Sequence, residues 1–166
     1  GNINPSAKLP FSFPQSVGHL PVFYNHLPTD KGFYRRPGRP NEPGRDYVFS
    51  SPAPLWSFGH GLSYASFKYG KSRLSSKTMG EKGSIKVTVP LTNTGTRIGK
   101  EVVQLYLGDP VCSVIRPLKE LKHFTKVEVE PDETVQVEFV ITPDDLKFFD
   151  EASHRWIAEP GVFNVY

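Results

Sequence analysis

From Ile85 to Leu91 apolar side chains fall on every second residue, with Lys86, Thr88 and Pro90 between them, the period of a strand that buries one face. Proline has no N–H to give a ladder, so Pro90 places this strand at a sheet edge or turns its nitrogen to an open side. Asn93-Thr94-Gly95 supplies a turn, and Val103, Leu105 and Leu107 resume the alternation. Another apolar stretch runs from Leu118 to Val129, and Val135, Val137, Phe139 and Ile141 alternate with outward Gln136 and Glu138. One short helix is expected at Thr142-Pro143-Asp144-Asp145, where a hydroxyl cap, a proline at the first position and a carboxylate at the third suit the free amides of a helix start. Leu146 and Phe149 are expected on its inner side. A polar turn then leads to Trp156-Ile157-Ala158, and Glu159-Pro160-Gly161 reverses the chain into Val162 to Tyr166. With a first strand near residues 67–74, the pattern predicts about seven short strands in roughly 100 residues, as in an immunoglobulin or fibronectin type III sandwich.

The pattern changes near residue 66. Residues 1–66 hold most of the prolines and too little regular apolar repetition to close a core. Leu9 to Pro14 is expected as an edge strand and Val22-Phe23-Tyr24 as a short extended run. Residues 27–54 lack periodicity over a length that signals a functional loop or a surface wrapped over something else, and the wrapped surface is the reading preferred. Leu55 to Tyr64, aromatic and glycine-rich, suits a tight bend against a neighbouring domain.

Composition narrows the classes. In 166 residues, 16 prolines and 14 glycines against a single methionine exclude a helical bundle, while an aromatic content of 13% provides for a core. The formal charge is +3, and its one local concentration, Lys31, Arg35, Arg36, Arg39 and Arg45, is interleaved with Pro, Gly and acidic residues. That makes a solvated or interdomain loop, not the basic stripe that binds phosphates, so no nucleic-acid partner is expected. No apolar run approaches the roughly 20 residues that span a bilayer, so no membrane partner is expected. The N-terminus lacks a basic and apolar leader, which places any secretion signal outside these residues. Cys112 is alone and can form no internal disulfide.

Candidate chemistry is sparse. The five histidines are dispersed, without the i, i+4 pair or Cys cluster of a zinc site, and no Gly-x-Ser-x-Gly elbow or phosphate loop occurs. No metal or other cofactor is expected. Glu128, Glu130, Asp132, Glu133 and Glu138 read as outward or turn positions, not as a catalytic pair.

Several motifs in one order nevertheless point to a family. Asn4-Pro5-Ser6-Ala7-Lys8-Leu9-Pro10, Tyr24-Asn25-His26, the run Trp56 to Tyr64, Asn93-Thr94-Gly95 with Arg97 and Gly99, Val102 to Tyr106, Arg116 to Lys122 and Glu159-Pro160-Gly161 together resemble the end of glycoside hydrolase family 3 enzymes, the β-glucosidases and β-xylosidases. The departures are small: Ala7 and His123 stand where glycine is common, His60 where Tyr or Phe is, and Ser57 where proline is. If position 123 needs positive φ, His123 implies a changed local bend.

The resemblance implies a mainly β fold, with residues 1–65 as the irregular tail of a second, α/β catalytic domain and residues 66–166 as a fibronectin type III-like sandwich. It implies that both carboxylates of retaining glycoside hydrolysis, which stand about 5–5.5 Å apart, lie upstream, so that no catalytic residue is expected here. The parent would be periplasmic or secreted. Implied partners are the upstream domains, a second copy in a homodimer, and the sugar substrate of the parent. Asn25, His26 and Arg36 are the substrate-loop candidates, with interdomain hydrogen bonding as the alternative role. Trp56, Phe58 and Tyr64 are expected in junction packing more than as a sugar platform. The rival function is an independent carbohydrate- or protein-binding module.

Overall fold

The computed structural model of the chain describes residues 3–27 and 53–166. Among the described residues nine strands run in the order β1 (Phe67–Tyr69), β2 (Arg73–Leu74), β3 (Ile85–Asn93), β4 (Gly99–Gly108), β5 (Glu120–Val129), β6 (Thr134–Ile141), β7 (Phe148–Asp150), β8 (Arg155–Ile157) and β9 (Asn164–Val165), with the short helix α1 (Pro143–Leu146) between β6 and β7. All pairings are antiparallel. β3 joins β6 along its length, from Ile85 opposite Ile141 to Thr92 opposite Thr134, and its other side takes β1 and then β2. The second sheet has the order β5-β4-β9, and β7 and β8 form a separate hairpin.

The alternation read from the sequence decides what lies between the sheets. Val87 and Leu91 of β3, Val103, Leu105 and Leu107 of β4, Val129 of β5, and Val137, Phe139 and Ile141 of β6 form one buried cluster. Each such side chain contributes about 1.5–3 kcal/mol by leaving water. A mainly β sandwich is therefore what the chain forms.

Several local expectations need correction. The strand count rises because residues 67–74 break into β1 and β2 and residues 148–157 fold back as a hairpin. The break faces Pro90: the Gly70 amide donates to the Pro90 carbonyl at 2.8 Å, and a Cβ on Gly70 would sit 3.0 Å from the proline ring. The nitrogen that cannot donate thus faces the interruption between β1 and β2, and β3 is an inner strand. Leu9 to Pro14 is not a strand, since only Phe13 bridges to Trp56, and Val22 to Tyr24 form none. The helix ends at Leu146, so Phe149 lies in β7, where strand alternation buries Phe148 at 8% exposure and leaves Phe149 at 46%. His123 lies within β5 and is not among the residues with positive φ. The bend expected there takes the form of a register shift, with Leu105 opposite His123 and Tyr106 opposite Leu121, so that Lys122 is extra.

Asp145 secures the helix start by accepting hydrogen bonds from the Thr142 amide (2.7 Å) and hydroxyl (3.0 Å). His123 Nε2 approaches its other oxygen at 2.9 Å. Burial pushes the Asp145 carboxyl up, but the Thr142 amide and hydroxyl and His123 outweigh it and hold its pKa below the ordinary value. A depressed carboxyl stabilises the fold above its unfolded pKa of about 3.9 and loses that contribution as pH falls through the folded value. Asp145→Asn should therefore cost about 1 kcal/mol at pH 7, the size of a helix cap, and the gap should close toward pH 2. Urea unfolding across that range checks this, and a gap independent of pH would remove the carboxylate from the account.

Candidate functional site

Two irregular stretches, residues 3–27 and 53–64, run antiparallel and lie against β4 and the start of β5. Leu9 and Gly59–His60 exchange backbone bonds (Leu9 N to His60 O and Gly59 N to Leu9 O, both 2.8 Å), as do Phe13, Leu55 and Trp56 (Phe13 N to Trp56 O and Leu55 N to Phe13 O, both 2.8 Å). Asn4 Oδ1 accepts from the Tyr64 amide (2.8 Å) and the Ser63 hydroxyl (3.1 Å), tying the two stretches at their far end. Prolines deny these stretches a continuous ladder, so isolated bonds hold them in place of a sheet.

Three contacts fix them to the sandwich. First, Lys8 Nζ reaches Glu101 Oε1 at 2.9 Å, and the Tyr69 hydroxyl donates to the same oxygen at 3.0 Å. Glu101 is only 8% exposed, so its charge has been matched from both sides of the junction. Burial, then the Glu101 charge and hydrogen bond, push the Tyr69 phenol far above its ordinary range. Second, Tyr24 stacks on Phe58 at 4.1 Å between centroids, and both meet the Tyr106 ring edge-on. Third, the Leu121 amide donates to the Tyr24 hydroxyl (3.3 Å) and the Leu118 amide to the His26 carbonyl (3.2 Å).

Gly59 permits the second contact. Its φ is +80°, and a Cβ there would stand 2.6 Å from Gln104 Oε1 and 3.2 Å from the Tyr106 hydroxyl. Gly59→Ala should destabilise the docked stretch by about 1–2 kcal/mol from backbone conformation alone. Hydrogen exchange should rise at residues 55–60 while β3 and β6 keep their protection; unchanged exchange at 55–60 would count against the tight approach.

Among the sequence candidates, Asn25 and His26 are exposed beside the half-buried Tyr24, with His26 Nδ1 3.4 Å from the Leu27 carbonyl. Arg36 and the basic loop lie outside the described residues. Trp56 and Tyr64 are half-exposed, and Phe58 packs into the junction.

The carboxylates that the fold does bring together are tied down. Arg116 holds Asp109 through Nη1 and Glu120 through Nη2, each at 3.0 Å, and Nη1 also donates to the Leu146 carbonyl at 3.0 Å. Neither acid is available as a base or nucleophile in that arrangement. Burial pushes the Cys112 thiol up, with Glu159 and Asp109 adding to the rise, so the thiolate is scarce at neutral pH. Among the described residues no group of three His, Cys, Asp or Glu could hold a metal ion, and no helix is long and apolar enough to cross a membrane.

Sequence reasoning missed the Arg116 cluster and the Lys8, Glu101 and Tyr69 junction. Arg116 was visible only as part of a motif, and its partners come from three separate elements. A signal for the junction did exist: Glu101 stands at an inward position of the β4 alternation, where a charge demands a partner.

A two-sheet antiparallel sandwich of this topology defines a fibronectin type III-like protein, and residues 101–166 match the family described as "Fibronectin type III-like domain". The whole chain aligns with β-glucosidase BoGH3A of Bacteroides ovatus at 43% identity, covering 100% of this chain and 23% of that protein. It is 44% identical to a periplasmic β-glucosidase of Salmonella typhimurium, over 100% of this chain and 21% of the relative. The structure of a β-glucosidase from Erythrobacter marinus superposes with a TM-score of 0.86 at 40% identity, over 99% of this chain and 20% of that one. The chain is thus similar over its whole length to β-glucosidases and a β-xylosidase of glycoside hydrolase family 3, and it spans under a quarter of the length of these relatives.

Proposed function

We propose that this chain is the C-terminal portion of a β-glucosidase-like hydrolase of family 3, that residues 1–65 end its second catalytic domain, and that the sandwich of residues 66–166 is a non-catalytic scaffold. The observation that carries this reading is the row of exposed apolar side chains on the two docked stretches: Val17 at 87%, Leu62 at 75%, Phe23 at 63%, Leu20 at 58%, and Phe11 and Leu55 at 54%. So many large apolar side chains left in solvent on a segment pinned to a well-packed sandwich mark a face that another body covers. The upstream catalytic domains of the same polypeptide are that body, and the parent acts on terminal β-linked sugars in the periplasm or outside the cell; the name of the Salmonella relative, periplasmic β-glucosidase, supports the first of these locations.

In this reading the sandwich fixes the Tyr24 loop, and Asn25, His26 and Arg36 serve either the sugar site or the interdomain contact. The rival binding-module reading wants coplanar exposed rings. The exposed pair on the β7–β8 hairpin, Phe149 and Trp156, instead meets at 66°, which offers no flat platform for a sugar ring.

Hydrolysis of aryl β-glucoside and β-xyloside is the test, with this chain alone and after addition of the upstream domains. Activity is expected only in the combined sample. Turnover by the chain alone would refute the scaffold role and require a catalytic pair among its 17 acidic residues.

A further inference from the structure

The connection between β4 and β5 departs from the polar, loosely held character of most surface loops. Residues 110–115, Pro-Val-Cys-Ser-Val-Ile, carry no charge. Val111 is 79% exposed, Ile115 61% and Leu118 51%, and Val162 of the turn beside the loop is 74% exposed. Apolar side chains stand in water along the whole connection.

The loop that carries them is tied at both ends and in the middle. Asp109 Oδ1 accepts the Val111 amide at 3.4 Å, while its Oδ2 is held by Arg116. The buried Arg116 also grips Glu120 at the start of β5 and the Leu146 carbonyl, so one guanidinium joins the two ends of the loop to α1. The Ser113 amide donates to Glu159 Oε2 at 2.9 Å, which fastens the middle to the turn before β9. Gly108 lets the ends close, since a Cβ there would stand 2.5 Å from the Leu118 carbonyl. Fixing a backbone costs conformational entropy. A surface already fixed loses little more of it when a partner arrives, which is the advantage of preorganisation.

The place where the loop ends indicates the partner. Leu118 gives its amide to the His26 carbonyl of the docked stretch at 3.2 Å, and three residues on the Leu121 amide holds the Tyr24 hydroxyl. Leu27, next after His26, is 41% exposed. The loop therefore continues the junction between the stretch and the sandwich, and its uncharged residues ask for an apolar surface opposite.

We propose that the β4–β5 loop, through Val111, Ile115 and Leu118 with Val162, is a preformed contact for the body of the catalytic domain that ends in residues 1–65. The inference rests on the reading that the upstream domains cover the docked stretches. It adds that the sandwich meets that domain directly and not through the stretches alone.

The test is maleimide labelling of single cysteines in this chain and in the parent polypeptide that carries the upstream domains, with Cys112 and any other native cysteine replaced by serine. Ile115→Cys should label at least about tenfold more slowly in the parent than in the chain alone, because the core of an interface packs as tightly as a protein interior. Gln136→Cys, at an exposed position of β6 in the other sheet, should label at the same rate in both. Val17→Cys reports on the docked stretch. Protection at 17 without protection at 115 would overturn this inference and leave the scaffold reading standing, whereas protection at neither would overturn both. Slow labelling at 115 in the chain alone would mean that the chain covers its own loop, and labelling that slows as the chain is concentrated would assign the loop to a second copy. Either result would overturn the proposal.

Discussion

Arg116→Met is expected to cost the sandwich about 3–5 kcal/mol, the loss that follows when one member of a buried charge cluster is removed. The guanidinium is 7% exposed and Asp109 3%, so Asp109 has no water to replace its partner, whereas Glu120, at 30%, keeps solvent and Lys122 at 3.5 Å. The Leu146 carbonyl also loses its donor, and Phe148 loses the cation 5.5 Å above its ring. With net stability of a domain near 5–15 kcal/mol, the variant is expected to be marginal at 37 °C. Adding Asp109→Asn should recover part of the loss, because the stranded charge rather than the missing contact carries most of it. Urea unfolding of the single and double variants separates the two terms. A loss under about 1 kcal/mol in the single variant would mean that Asp109 regains water and is not left as a stranded charge.

Asn93 is the second such point. At 0% exposure it donates through Nδ2 to the Arg97 carbonyl (2.8 Å) and the Val129 carbonyl (2.9 Å), and its Oδ1 accepts the Gly95 amide (3.0 Å). One side chain thereby closes the turn after β3 and ties it to the end of β5. Asn93→Ala leaves the buried Val129 carbonyl and the Gly95 amide without partners, at about 1–3 kcal/mol for each group, so a total near 3 kcal/mol is expected. Asn93→Asp keeps the shape but turns an acceptor toward two carbonyl oxygens. Its carboxyl must be protonated to donate, so its folded pKa is raised. Stability of this variant should then fall as pH rises through that value, opposite in sign to the trend expected at Asp145. Equal losses for Asp and Ala at every pH would show that the turn has relaxed away from the carbonyls.

Much of the sandwich was legible because strand alternation needs only local information: Val87, Leu91, Val103, Leu105, Leu107, Val137, Phe139 and Ile141 all face inward as the period requires. Phe149 was misjudged because a four-residue helix ends too soon to carry its 3.6 period forward. Pro90 was legible only as a choice of two settings, since which side of β3 would be interrupted depends on the placement of Gly70. The junction was opaque for another reason. Leu121 and Tyr24 stand 97 residues apart, and neither has a local pattern that names the other.

That separation also sets an order of events in the cell. The stretch bearing Lys8 and Tyr24 leaves the ribosome before Glu101, Leu118 and Leu121 exist to receive it. At about 5–20 residues per second, the Tyr24 hydroxyl waits on the order of 5–20 s for the Leu121 amide. What is synthesised first here settles last against the sandwich, so the junction is closed by the strand that arrives and not by the stretch that waits.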